Sequence, residues 1–176
     1  MNIIKITSGK FRGRNIKSPN SALTHPMGAR EKLALFNMIA EYLPGAKVLD
    51  AYAGSGALGI EALSRGASYA VFVEKNPRIA QQIRNTLAEL GLEESSRVLE
   101  CSVAHFATNE LFDVVIADPP YDKFDVSSIE TLSKFCKDTG VLVLSHPGEA
   151  PELNGFTPVR TRKYARAHIS VYQKQY

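Results

Sequence analysis

The sequence has no long apolar run. Its longest strongly hydrophobic stretches, such as Val141-Leu142-Val143-Leu144, fall far short of the roughly 20 residues that cross a bilayer as a helix. No membrane span is expected. The two cysteines, Cys101 and Cys136, show no CxxC spacing, which excludes a disulfide framework. The opening residues Met1 to Thr7 lack an h-region followed by a small-residue cleavage site, so a cytoplasmic location is expected. His105, His146 and His168 lack metal-ligand spacing, and no metal is expected. Repeats and low-complexity segments are also missing. What remains is a globular composition, 44% hydrophobic and 22% charged over 176 residues. That is enough for one domain with a small appendage.

Charge is distributed unevenly. Residues 1–47 carry a net +6, residues 48–150 a net −7 and residues 151–176 a net +4, within a total of +3. Two basic ends flanking an acidic middle fit a polyanion-binding face, if the middle supplies matching chemistry.

The pattern of apolar residues gives the organisation. Residues 3–17 read as a hairpin turning at Ser8-Gly9-Lys10. From Ala29 to Leu43 the spacing is helical, until Pro44-Gly45 stops it. An alternation follows: a strand at Val48-Leu49, a helix over Ala57–Arg65, a strand over Tyr69–Val73 and a helix over Asn76–Leu90. That second helix has an Asn cap, Pro77 at its first position and Gly91 after its end. Arg97–Leu99 and Phe112–Ala117 read as strands, Val126–Lys137 as a helix and Val141–Leu144 as a fifth strand. Phe156–Lys163 and Arg166–Gln173 then form an antiparallel edge pair turning near Tyr164-Ala165. The expected fold is α/β: a Rossmann-like, mostly parallel sheet over 27–176, preceded by a basic hairpin extension over 1–26.

Gly54-Ser55-Gly56-Ala57-Leu58-Gly59 matches G-x-G-x-x-G after a strand and before a helix. Such a loop suits a dinucleotide as well as other ligands. The context favours another ligand. Asp50 ends the strand, and a carboxylate so close suits an amino-acid ammonium and would repel a pyrophosphate. Glu74 ends the next strand, where an acid can accept from ribose hydroxyls. This arrangement resembles the first motif of S-adenosylmethionine-dependent methyltransferases. Asp50, Tyr52, Gly54, Ser55, Gly56, Glu74 and Lys75 are the candidate cofactor residues. Ser102 and Val103 join them at the third strand end, for the adenine. Many relatives place an Asp before a small residue there, and here Glu100 is the nearest carboxylate.

Asp118-Pro119-Pro120-Tyr121 follows the fourth strand. An exocyclic amine on a base is a poor nucleophile because its lone pair is delocalised into the ring. A carboxylate and a backbone carbonyl can hold its two N–H groups and direct that lone pair at an electrophilic methyl. Prolines offer no competing N–H and stiffen the loop. The Tyr121 ring gives a surface on which a base can stack. Its hydroxyl is assigned no role, so Tyr121→Phe is expected to be mild. The tetrad resembles the (Asn/Asp)-Pro-Pro-(Tyr/Phe/Trp) motif of amino-methyltransferases acting on adenine, guanine or protein glutamine.

Further segments narrow the resemblance. Ser8-Gly9-Lys10-Phe11-Arg12-Gly13-Arg14, Arg30 to Asn37, Ala57 to Ala67 and Lys163-Tyr164 together resemble the RsmD family, which methylates guanine N2 in bacterial 16S ribosomal RNA. The resemblance spans nearly the whole chain. It implies S-adenosylmethionine as cofactor and ribosomal RNA as partner, naked or in an assembling particle, and a monomer is expected. One departure stands out: His25-Pro26-Met27-Gly28 replaces the family's usual Arg-Pro-Thr. Arg30 or His25 could stand in for that arginine, although His25 also reads as a surface loop histidine. Lys5, Lys10, Arg12, Arg14, Lys17 and Arg30 are the candidate RNA contacts, with Arg160, Arg162, Lys163 and Arg166 from the far end. The hairpin is expected beside the tetrad. Two other functions stay open: the same chemistry on DNA adenine or protein glutamine, and an RNA-binding assembly factor without turnover.

Overall fold

The computed structural model describes residues 1–19, 26–165 and 167–175. A short antiparallel hairpin opens the chain, with β1 at Asn2–Lys5 and β2 at Asn15–Ser18. Helix α1 spans Ala29–Met38. Then come β3 (Lys47–Asp50), α2 (Ala57–Ser64), β4 (Tyr69–Val73), α3 (Pro77–Glu89) and β5 (Ser96–Leu99). The chain continues through β6 (Phe112–Ala117), α4 (Val126–Ser133), β7 (Cys136–His146), β8 (Phe156–Lys163) and β9 (His168–Lys174). The main sheet has the order β5-β4-β3-β6-β7-β9-β8. Strands β3 to β7 pair in parallel, and β9 pairs antiparallel with both β7 and β8. Strand order reverses between β3 and β6, the kind of switch point where open α/β sheets bind ligands at the carboxyl ends of their strands.

Both faces of the sheet are buried, as a parallel sheet requires. One face meets α1, α2 and α3 through Phe36, Ile60, Phe72 and Ile83; the other meets α4 through Leu49, Val115, Ile129 and Leu142. The hairpin's Ile6 and Ile16 are buried in the first of these cores. The Asn76 side chain caps α3 by accepting from the Arg78 and Ile79 amides, and Gly91 follows the helix with φ +66°. That is the stop the sequence predicts.

Three elements differ from the sequence expectation. Helix α1 ends at Met38 because Ile39 leaves helical geometry (φ −115°, ψ 12°), and Ala40–Tyr42 tighten into a 3-10 turn. Leu43 is buried all the same, so periodicity reported burial correctly and backbone geometry incorrectly. Helix α4 stops at Ser133, short of Lys137, and β7 starts at Cys136, well before Val141. Buried Cys136 pairs with Phe112, and the ladder then slips, β7 taking five steps to Val141 while β6 takes two to Val114. Gly140 fits this irregularity because a Cβ there would lie 2.7 Å from the Asp113 carbonyl oxygen. Lys137 closes it with an ion pair to Asp113 at 2.8 Å. The expected start of the last strand, Arg166, and His25 lie outside the described residues.

Candidate active site

The glycines of the loop after β3 have separate physical reasons. Gly54 (φ +53°) and Gly56 (φ +79°) take the left-handed backbone needed to turn from strand into α2. Gly59 is required by packing: a Cβ there would come within 2.3 Å of the Phe72 ring. Asp50, at the end of β3, is buried and accepts from the Gly59 amide through Oδ2 at 2.9 Å. Its other oxygen, Oδ1, is buried without a hydrogen-bond partner. Burial pushes the Asp50 carboxyl up to about 7; the Gly59 amide opposes this, and the charges of Asp118 and Glu74 add to it. Three carboxylates thus converge at the carboxyl edge of the sheet.

Glu74 follows β4 and holds the loop. Its Oε2 accepts from the Gly54 amide at 2.9 Å and its Oε1 from the Asn76 amide at 2.8 Å. Each carboxylate oxygen keeps a further lone pair for a hydroxyl. Tyr52 is half-buried and its hydroxyl meets the Ser128 side chain in α4. Ser55 is buried, with its Oγ against the Ala57 amide at 3.4 Å. Lys75 is exposed. Ser102 bonds the His105 ring at 2.7 Å, Val103 packs into the second core, and Glu100 is turned outward to Arg84.

Asp118 follows β6. Burial raises its carboxyl to about 6, against the pull of a hydrogen bond from the Ser145 side chain. Pro119 is buried and Pro120 exposed. The Tyr121 hydroxyl lies 2.6 Å from the Ser145 Oγ. Burial raises the Tyr121 phenol, with Asp118 and Glu31 adding to the effect. The sequence reading therefore missed two things. Ser145, the residue immediately after the apolar run Val141–Leu144, belongs to this site. The Tyr121 hydroxyl, expected to be idle, is engaged. The polar pair Ser145-His146 closing the apolar run is visible in sequence, but it points to this site only once β7 is known to lie beside β6.

The basic residues divide between the two edges of the sheet. The hairpin tip docks on the end of α2, where the Lys10 amide donates to the Ser64 carbonyl and the Phe11 amide to the Ser64 Oγ. The end of α2 lies beside the start of β3, through Gly45–Gly66 and Ser68–Ala46 backbone bonds. Lys10, Arg12 and Arg14 therefore sit at the edge opposite Asp118, which corrects the expected placement of the hairpin beside the tetrad. Arg14 donates to the Glu89 carbonyl at 3.4 Å, and Lys17 faces the Glu89 carboxylate at 3.8 Å. Lys5 is exposed. Arg30 is exposed in the first turn of α1, next to Glu31, whose charge acts on Tyr121. Arg162 and Lys163 lie at the active edge, because Lys163 pairs with His168 and His168 with His146. Arg160 is committed elsewhere, to the Met38 carbonyl and Glu41.

The donor set fits a cationic cofactor. An orphaned buried carboxylate oxygen, flanked by two more carboxylates beside a glycine turn, favours a positive group over a pyrophosphate.

A family model described as Conserved hypothetical protein 95 matches residues 4–173. The Bacillus subtilis protein named "Putative rRNA methyltransferase YlbH" is 33% identical over 184 aligned residues, covering 98% of this chain and 100% of its own. Ribosomal RNA small subunit methyltransferase D of Haemophilus influenzae is 35% identical over 140 residues, 77% of this chain and 72% of that protein. The solved Escherichia coli chain named "Putative methyltransferase yhhF" superposes with a TM-score of 0.88 at 28% identity, covering 99% of each chain.

Proposed function

The chain belongs to this family, the RsmD family of methyltransferases, and from that premise we propose that it methylates the exocyclic N2 amine of a guanine in small-subunit ribosomal RNA. The observation that supports this most is the Asp-Pro-Pro-Tyr loop, set one strand from the orphaned Asp50 carboxylate oxygen.

S-adenosylmethionine, when bound, supplies an electrophilic methyl group on a sulfonium. Asp50 Oδ1 would accept from its ammonium, and the spare lone pairs of Glu74 would accept from its ribose hydroxyls. Asp118 accepts one N–H of the guanine amine and the carbonyl of the proline loop accepts the other. That hold would direct the amine lone pair at the methyl group. The amine would need no prior deprotonation: it would gain the methyl group as the sulfonium carbon–sulfur bond breaks, and the proton it then sheds would pass to the Asp118 carboxylate that holds it. The Tyr121 ring stacks on the base once it is flipped out of its helix. RNA phosphates lie along the active edge on Arg30, Arg162 and Lys163, and the hairpin tip holds a more distant stretch.

The test is transfer of labelled methyl from S-adenosylmethionine to small-subunit RNA and subunit particles, followed by nucleoside analysis. The expected product is N2-methylguanosine at one position. Label on adenine or on protein glutamine would overturn the substrate, and cofactor binding without transfer to any RNA would favour an assembly factor.

A further inference from the structure

Asp118 follows β6, and Ser145 is the next-to-last residue of β7, the neighbouring parallel strand. Ala117 pairs with Leu144, so the next residues, Asp118 and Ser145, lie side by side and project to the same face. Ser145 is only 2% exposed. Its hydroxyl lies 2.6 Å from the Tyr121 hydroxyl, and the strand register sets it beside Asp118.

A serine hydroxyl has one proton to donate and a tyrosine hydroxyl has one. An ionised carboxylate can only accept. With Asp118 ionised, all three groups are satisfied in one direction: Tyr121 donates to Ser145, and Ser145 donates to Asp118. Protonated Asp118 reverses the chain, leaving its oxygens less able to receive an amine.

We propose that Ser145 is a positioning residue that, together with the Tyr121 hydroxyl, aligns the Asp118 carboxylate and keeps it in its ionised, amine-accepting form. The assignment rests on reading Asp118 as the acceptor of the guanine amine. It gives Tyr121 two roles, the ring for the base and the hydroxyl for the relay. Among the described residues, the titratable groups coupled to Asp118 are Asp50 of β3 and Tyr121, with Glu74 acting on Asp50 and Glu31 of α1 on Tyr121. All are acidic, so the Ser145 hydrogen bond is the feature that counters the rise caused by burial.

The test combines two measurements on Ser145→Ala, Ser145→Thr and Tyr121→Phe. In single-turnover methyl transfer, the acidic limb of the pH profile should move up by about one pH unit in Ser145→Ala. Tyr121→Phe should move it the same way by less, and Ser145→Thr should restore the parent profile. Carbon-13 carboxyl NMR, with Asp118 assigned through Asp118→Asn, should show the same displacement of the Asp118 midpoint without RNA or turnover. An unchanged Asp118 midpoint in both Ser145→Ala and Tyr121→Phe would overturn the proposal. So would an equal loss of rate at every pH that threonine does not rescue. A displaced midpoint in a protein whose parent methylates no RNA would leave the relay standing and remove the functional reading.

Discussion

The two edges of the central sheet treat buried carboxylates in opposite ways. At the amino edge, Glu61 is fully buried in α2, yet every oxygen is engaged. Thr7 donates through both amide and hydroxyl, Ser8 through its amide, and Lys32 and Arg65 each pair at 3.0 Å. Burial alone would raise this carboxyl; the Thr7 donors and Lys32 overcome it and hold it below its ordinary range. At the carboxyl edge, Asp50 and Asp118 are raised by burial to about 7 and about 6. Asp50 also keeps an unpartnered oxygen. The first edge is a finished clasp joining the hairpin to α1 and α2. The second is unfinished, and a cationic ligand is what would complete it. A buried charge that is fully satisfied stabilises the fold, and one left wanting marks where a ligand contributes.

The largest effect should come from breaking the clasp. Glu61→Ala leaves Lys32 buried beside the Lys5 carbonyl without its anion. Removing one partner of such a pair costs about 3–5 kcal/mol, a large share of a domain's usual stability. Urea denaturation should show it, and Glu61→Leu with Lys32→Met should lose less than either single variant. A loss below about 1 kcal/mol for Glu61→Ala would mean the clasp is decorative, well under what a buried pair carries.

Removing a carboxylate at the other edge should do the reverse. Asp118→Ala should lower turnover about 10²–10³-fold, the scale for one transition-state hydrogen-bond group. Cofactor affinity should stay within a few fold. Its melting temperature at pH 8 should equal or exceed the parent's, since an ionised carboxylate held above its ordinary range works against folding there. A marked loss of stability would place Asp118 in the architecture instead of the chemistry.

How much of this was legible in sequence follows the same division. Strand and helix order could be read because period and glycine placement are local, and β6 and β4 match the predicted residues. The limits of α1 and β7 could not, because Ile39 and Cys136 answer to tertiary packing. The tetrad and the glycine loop are contiguous in the chain, so their chemistry was visible. Ser145 was not, since its meaning depends on which strand lies beside β6. The clasp was hidden for the same reason: Thr7, Lys32 and Glu61 come from three separated segments, and Glu61 reads as an ordinary helix-face acid. Charge segmentation identified the basic ends but not the edge each would occupy.

The third prediction uses pH to separate the edges. A cation bound at Asp50 favours its ionised form, so binding below about pH 7 must release a proton. Calorimetry near pH 6 in buffers of different ionisation heat should detect that proton, and affinity should fall as pH drops from 8 to 6. Asp50→Asn should weaken binding by ~1.5–3 kcal/mol and remove most of the pH dependence. Without ligand the sign is opposite. The folded chain keeps the Asp50 proton between its ordinary value of 3.8 and about 7, so its contribution to stability is greatest at low pH and is lost as pH rises toward 7. Glu61, depressed on folding, contributes above its ordinary value and loses that contribution as pH falls. Affinity independent of pH would detach Asp50 from the cofactor.

The smallest effects concern the cations, and they ask whether both edges touch RNA. Arg12 and Arg14 stand at the hairpin tip, across the sheet from Asp118, with Arg14 also engaged by the Glu89 carbonyl. Arg30 and Arg162 stand on the active side. Phosphate contacts position an RNA without reading its sequence. Each one lost from a single strand flattens the log–log salt dependence by roughly 0.7, so either pair of alanine substitutions should flatten it by about 1.4. The pairs should differ in rate. Arg12→Ala with Arg14→Ala should weaken binding and leave turnover at saturating RNA unchanged, because the clasp fixes the tip away from the reacting base. Arg30→Ala with Arg162→Ala should weaken binding and slow turnover as well, because misplacing the strand beside Tyr121 misplaces the amine. Equal turnover losses from both pairs would show that RNA is gripped as one continuous track around the domain. A tip pair with the parent's affinity and salt slope would leave the hairpin with the clasp as its whole purpose.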